Sequence, residues 1–155
     1  MVISEETRQK IEAACAPYPK RRGGLLAALH IVQAEHGHIS PELAREVALL
    51  FEIHPIEVME VVSFYNMFYD RPQGRHHVHV CTNLPCSLRG ARSLLRQLEA
   101  HLGIKAGETT PDGRLTLGNE ECLGACGYAP MMRVDGRYHE DLDFESAKRV
   151  IDGLE

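Results

Sequence analysis

Two close pairs of cysteines constrain this chain more than any other feature. The first pair is spaced C-x4-C, Cys81-Thr82-Asn83-Leu84-Pro85-Cys86, and the second C-x3-C, Cys122-Leu123-Gly124-Ala125-Cys126. Residues 87–121 separate them, so the pairs act together only in a fold that carries the chain out and back to the same place. Four thiolates around one point make either a tetrahedral zinc site or an iron–sulfur cluster.

The chain has 155 residues, room for one large domain or two small ones. A chain of this size buries roughly 68–70% of its unfolded surface and needs no disulfide staples. Its 17 basic residues are outnumbered by 22 acidic ones, and the longest basic run is Lys20-Arg21-Arg22, which argues against nucleic acid as a partner. No apolar stretch approaches the roughly 20 residues of a membrane span, so no direct membrane insertion is expected. The acidic start, Met1-Val2-Ile3-Ser4-Glu5-Glu6, reads as neither a secretory signal nor an Arg-rich transit peptide. Five cysteines, an odd number without an export signal, indicate a reducing cytosolic compartment, where clustered cysteines more often bind metal than form disulfides.

Residues 1–70 read as a helical domain of about four helices. Ser4 is an N-cap with Glu5 and Glu6 at the positive end of a helix running to about Cys15, ended by Pro17 and Pro19. Leu25, Leu26, Leu29, Val32 and Gln33 have helical spacing, with Gly37 as the stop. Ser40-Pro41 opens a third helix with Leu43, Val47, Leu50 and Phe51 on one face, and His54-Pro55 opens a fourth. Apolar residues from Ile56 to Phe68 go nearly all round that fourth helix, the pattern of a helix buried in its module or against a partner chain. The aromatic run Ser63-Phe64-Tyr65-Asn66-Met67-Phe68-Tyr69 allows the same two readings. His30, His36, His38 and His54 have no ligand spacing, and the isolated Cys15 reads as a small apolar core residue.

Asp70-Arg71-Pro72-Gln73-Gly74 marks a boundary, after which residues 75–155 form a second domain. Arg75 to Val80 alternates, placing His76, Val78 and Val80 on one face of a strand and His77 and His79 on the other, polar one. Alternation accounts for these histidines more simply than metal binding does. Ser87 is then a helix N-cap, with Leu88, Ala91, Leu94, Leu95, Leu98 and Leu102 on one face and Gly103 as the stop. Residues 107–113 read as a loop and Arg114 to Leu117 as a second strand, completing a β-α-β unit that sets the two cysteine pairs side by side at the carboxyl ends of parallel strands. Gly124 and Gly127 allow close approach to a bound centre. Met131 to Val134 and Arg137 to Glu140 form a hairpin around Asp135-Gly136, after an Ala129-Pro130 bond that is a candidate for cis, and Asp143 caps a last helix from Phe144 to about Ile151. The fold class is therefore α+β, an N-terminal helical bundle followed by a thioredoxin-like α/β domain.

Spacing and composition favour an iron–sulfur cluster but leave open an interaction module stabilised by zinc on four cysteines. No G-x-G-x-x-G follows a strand, so neither a nicotinamide nor a flavin site is read here.

The cysteine segments 81–91 and 121–132, together with Phe64-Tyr65-Asn66-Met67-Phe68 and residues 107–113, resemble the E-subunit family of bacterial NADH-quinone oxidoreductase, the 24-kDa subunit family of thioredoxin-like [2Fe-2S] ferredoxins. The resemblance implies that Cys81, Cys86, Cys122 and Cys126 are the ligands of one [2Fe-2S] cluster. It also implies an electron-transfer subunit of respiratory complex I, not catalytic in isolation. NADH and FMN are then bound by a partner flavoprotein subunit, and the chain sits among the further subunits of the complex at the cytoplasmic face of the inner membrane. Arg89 and Arg92 are candidates to moderate the charge of the centre. Related subunits serve NAD(P)-linked hydrogenases and formate dehydrogenases, so a diaphorase-type role is the alternative.

Overall fold

The computed structural model describes residues 2–155 and divides into two compact units, the first ending at Pro72 and the second spanning Gln73–Glu155. The described part of the first unit carries α1 (Glu5–Cys15), α2 (Leu25–His36), α3 (Pro41–Phe51) and α4 (Pro55–Phe64). Their starts follow from side chains that satisfy backbone donors with no helical partner. The Ser4 hydroxyl accepts from the Thr7 N–H, the Ser40 hydroxyl from the Leu43 N–H, and His54 forms a capping box with Glu57. Gly37 ends α2 at φ +78°, a left-handed conformation that costs glycine little. Ile11, Leu29, Val32, Ile39, Val47 and Val58 make the centre of this unit's core.

Helix α4 departs from the sequence reading in its length. It ends at Phe64 instead of continuing through the aromatic run, because the Gln33 side chain holds the following segment. Its amide donates to the Met67 carbonyl (2.8 Å) and accepts from the Tyr69 N–H (2.8 Å), while Ile39 N–H bonds the Tyr69 carbonyl (2.7 Å). Within its own unit α4 is not buried all round, which leaves burial against a partner chain as the other reading: only Val58 and Val62 are fully inside, and Ile56 and Phe64 remain 57% and 76% exposed.

The second unit is a five-stranded sheet in the order β2-β3-β1-β4-β5, formed by β1 (His76–Cys81), β2 (Glu108–Thr109), β3 (Leu115–Glu120), β4 (Met132–Val134) and β5 (Arg137–His139). β1 and β3 are parallel and the other pairings antiparallel. The crossover from β1 to β3 carries α5 (Leu84–Leu88) and α6 (Ala91–Leu102), and α7 (Phe144–Asp152) closes the chain. Leu94 and Leu98 of α6 and Ala147 and Ile151 of α7 share one core with Val78, Val80, Leu115, Leu117, Met132 and Val134. This is the expected thioredoxin-like arrangement. Asp135 and Gly136, at φ +48° and +85°, make the tight hairpin between β4 and β5, and Asp143 caps α7.

Several local expectations change. The first helix after Cys81 begins not at Ser87 but at Asn83, whose side chain accepts from the Leu84 N–H (2.8 Å). Pro85 fits its first turn, where no helical N–H is needed. Leu88 therefore lies outside the apolar face and is exposed. Part of the 107–113 loop pairs as β2, and β3 runs on to Glu120. β1 has no solvated polar face at its carboxyl end: His79 is buried, with Nδ1 3.3 Å from Glu120 Oε1, and an Arg133 nitrogen lies 3.6 Å from that same oxygen.

Two outcomes follow. A Cβ at Gly74 would stand 2.5–2.9 Å from the backbone of Leu115, so G74A must displace the start of β3. It is expected to lower the unfolding free energy by about 1–3 kcal/mol in urea titration; an unchanged midpoint would contradict that packing. At the start of β1, His76 Nδ1 lies 2.6 Å from Asp135 Oδ2, and this hydrogen bond, followed by that to the Glu155 carbonyl, raises the His76 pKa above its ordinary 6.5. Its stabilisation is complete below the unfolded pKa and is lost as pH rises through the raised folded pKa. H76Q should therefore cost about 0.2–1 kcal/mol at pH 6, as a partly exposed pair does, and a smaller amount at high pH, read by paired melts.

Candidate metal centre

The parallel register sets Cys81 of β1 beside Glu120 of β3. The chain leaves these neighbouring strands at the same end of the sheet, and each exit is a cysteine loop. After β1, the Cys81 N–H bonds the Met131 carbonyl (3.1 Å) and the Thr82 N–H bonds the Glu120 carbonyl (2.9 Å). The cap at Asn83 then turns the chain so that Cys86 falls in the first turn of α5. Cys81 and Cys86 are each 1% exposed.

The second loop is held from outside the β-α-β unit. Gly124 takes φ +82°, and the Tyr138 hydroxyl of β5 donates to the Leu123 carbonyl (2.6 Å). Cys126 begins a single 3-10 turn to Tyr128, followed by a cis Ala129-Pro130 bond. Asp141 N–H closes on the Tyr128 carbonyl (2.9 Å). Cys122 and Cys126 are both exposed.

The thiols interact. Burial first, then a hydrogen bond with Cys81, pushes the Cys86 thiol up to about 11. The charges of Cys81 and Cys126 act the same way, and a hydrogen bond from the Met131 N–H opposes them. A thiolate is thus costly here until a cation sits beside it, the reversal a metal brings to its ligands. Among the described residues no three His, Cys, Asp or Glu side chains converge as ligands of one ion. What the structure brings to one end of the sheet is an inner buried pair and an outer exposed loop. Four sulfur donors in two pairs suit a centre of two irons with two thiolates each.

Arg89 and Arg92, candidates for charge moderation, are tied to the cysteine loops by specific bonds. Arg89 Nε donates to the Ala129 carbonyl (3.3 Å) and Arg92 Nε to the Ser87 hydroxyl (3.2 Å). The sequence reading missed Thr82, Asn83 and Tyr138. Asn83 had a usable signal, a capping residue two positions before a proline; the others form hydrogen bonds that leave no periodic trace. Cys15 is buried in the first unit, its Sγ 3.7 Å from the Gly24 carbonyl.

A thioredoxin-like sheet bearing cysteine loops at one strand end defines a class of small redox and metal-site proteins. Residues 11–155 match the family model described as thioredoxin-like [2Fe-2S] ferredoxin. The chain is 48% identical over 153 residues to the NADH-quinone oxidoreductase E-subunit 2 of Rhizobium meliloti (strain 1021), covering 92% of this chain and 91% of that protein. It is 40% identical over 155 residues to the mitochondrial NADH dehydrogenase [ubiquinone] flavoprotein 2 of Dictyostelium discoideum, covering 98% of this chain and 63% of that protein. Among solved structures it is similar to an NAD+-reducing [NiFe]-hydrogenase, with a TM-score of 0.73 and 29% identity, over 84% of this chain and 22% of that one. The chain belongs to the thioredoxin-like [2Fe-2S] ferredoxin family.

The burial pattern has a chemical consequence. In metal-free protein, native-state alkylation should label Cys122 and Cys126 first and leave Cys81, Cys86 and Cys15 unmodified, because the reactive species is an accessible thiolate. Peptide mapping after short labelling checks this; early modification of Cys86 would contradict it.

Proposed function

We propose that this chain is the electron-transfer subunit of the NADH dehydrogenase module of a respiratory NADH-quinone oxidoreductase. Cys81, Cys86, Cys122 and Cys126 hold one [2Fe-2S] cluster, and single electrons pass between it and FMN on a partner flavoprotein subunit. The observation that carries this reading is the 48% identity over 91% of an E-subunit relative, with both cysteine loops leaving adjacent strand ends. The likeness to an NAD+-reducing hydrogenase favours a second reading, a diaphorase-type subunit, though the chain spans only 22% of that protein.

When bound, the cluster supplies one-electron redox chemistry that no side chain here offers. The chain's residues supply the setting. Cys81 and Cys86 are the inner, buried side of the site, closed to water. Cys122 and Cys126, with Tyr128 of the same loop, lie at the surface and form the side open to exchange with a partner. Leu84 and Leu88 of α5 are 69% and 79% exposed, large apolar side chains on the first cysteine loop for a partner to cover. In the helical unit the end of α4 and the segment after it leave Phe64 and Met67 exposed, and we assign to them the docking contact of that unit. The same reading places the chain on the cytoplasmic face of the inner membrane through other subunits; no helix among the described residues is long and apolar enough to cross a membrane.

The test combines the chain with its flavoprotein partner. NADH should bleach the chain's visible absorption only when that partner is present, and bleaching by NADH alone would contradict the division of labour. Charged substitution of Phe64 and Met67 together should lower co-purification at least tenfold while leaving the cluster absorption intact. Unchanged co-purification would remove the helical unit from the interface.

A further inference from the structure

The two cysteine loops share a brace that neither the spacing of the cysteines nor the fold requires. Its centre is Thr82, directly after Cys81. Thr82 donates to the Glu120 carbonyl twice, from its N–H (2.9 Å) and from its hydroxyl (3.1 Å). The first bond continues the parallel ladder; the second is additional. The same hydroxyl oxygen accepts from Asn119 Nδ2 at 3.4 Å. On its other side, the Thr82 carbonyl accepts from the Ser87 hydroxyl (2.8 Å), and Ser87 in turn accepts from Arg92 Nε (3.2 Å). Ser87 follows Cys86, and Glu120 lies two residues before Cys122. Thr82 is therefore adjacent to one cysteine and joined by direct hydrogen bonds to the segments that carry two others.

We propose that the Thr82 hydroxyl is a positioning group that fixes the separation of the two cysteine loops, and so the retention and electronic symmetry of the cluster they hold. The inference rests on the ligand assignment proposed above. The Cys81 loop and the Cys122 loop each have a tie of their own elsewhere, to Met131 and to Tyr138 respectively. Thr82 spans from one loop to the strand end of the other. The hydroxyl is half-buried, where an unmade hydrogen bond is not fully replaced by water. Loss of the methyl alone leaves the bond in place, so threonine and serine serve alike, and valine does not.

The test uses the full-length cluster-loaded protein and compares wild type, T82V and T82S. T82V should lose its visible absorption to an iron chelator about fivefold faster than wild type, the factor that one net hydrogen bond supplies. Its dithionite-reduced EPR spectrum should show altered g values. T82S should match wild type in both. A merely structural role would lower the urea midpoint of T82V without changing the g values, and that result, or wild-type chelation kinetics in T82V, overturns the proposal. If T82V does not fold, T82A decides by the same two readouts, since it too removes the hydroxyl that donates to the Glu120 carbonyl. Wild-type protein that holds no cluster would overturn the ligand assignment and this inference with it; that is read before any variant is compared.

Discussion

The parallel pairing of β1 with β3 is the constraint on which the rest of the second unit depends. Two cysteine loops separated by residues 87–121 come together only because both strands point the same way and end level, with Cys81 opposite Glu120. A parallel pair cannot be joined by a tight turn; it needs a crossover, and α6 provides one whose Leu94 and Leu98 offset the cost of the return by burial against Leu115 and Leu117. A register shift of one residue would turn Cys81 to the opposite face of the sheet. The apolar alternation that fixes the register, with Val78 and Val80 on one face, thereby also fixes where the sulfur points.

The site is asymmetric, and the asymmetry suits its proposed work. One pair of thiols is sealed in and the other loop faces outward. An anionic centre gains a further negative charge on reduction, and its surroundings decide how costly that is. On this chain the surroundings are mostly backbone. Carbonyls of the cysteine loops are engaged by Arg89, Ser87 and Tyr138, which fixes the direction of the backbone dipoles around the sulfurs. The buried Glu120 and the half-buried Arg133, with the buried His79 beside them, add a compact polar group behind the strand ends. Electron exchange over a short distance needs one side of a centre near the surface, and on the proposed ligand assignment the exposed Cys122 loop with Tyr128 supplies it.

Much of the fold could be read from the sequence because it rests on local chemistry. The serine caps at Ser4 and Ser40, the Asp135-Gly136 hairpin and the Asp143 cap each satisfy or strain only their own backbone, so the residue type suffices to reveal them. The spacing of the four cysteines made them candidates, and the β-α-β pattern gave the two loops adjacent strand ends. What escaped depends on partners distant in sequence. The α4 helix stops at Phe64 because Gln33, far upstream, holds the next segment, which turns at Asn66 and Met67, in place. His79 is buried because Glu120 and Arg133, on two other strands, pair up beside it. Ser87 and Asn83 are both good caps by type; Asn83 prevails because Pro85 fits two residues after it, and Ser87 turns instead to the Thr82 carbonyl.

The most direct measurement is the visible and EPR spectrum of the anaerobically purified full-length chain, with iron and sulfide analysis. The account requires two irons and two sulfides per chain. It also requires a red-brown absorption that bleaches on dithionite reduction, and a reduced-state signal integrating to one spin per chain that is lost when Cys81, Cys86, Cys122 or Cys126 is replaced by alanine. A colourless protein with one zinc per chain, unchanged by anaerobic iron and sulfide reconstitution, would contradict it and leave a metal-stapled scaffold in place of an electron carrier.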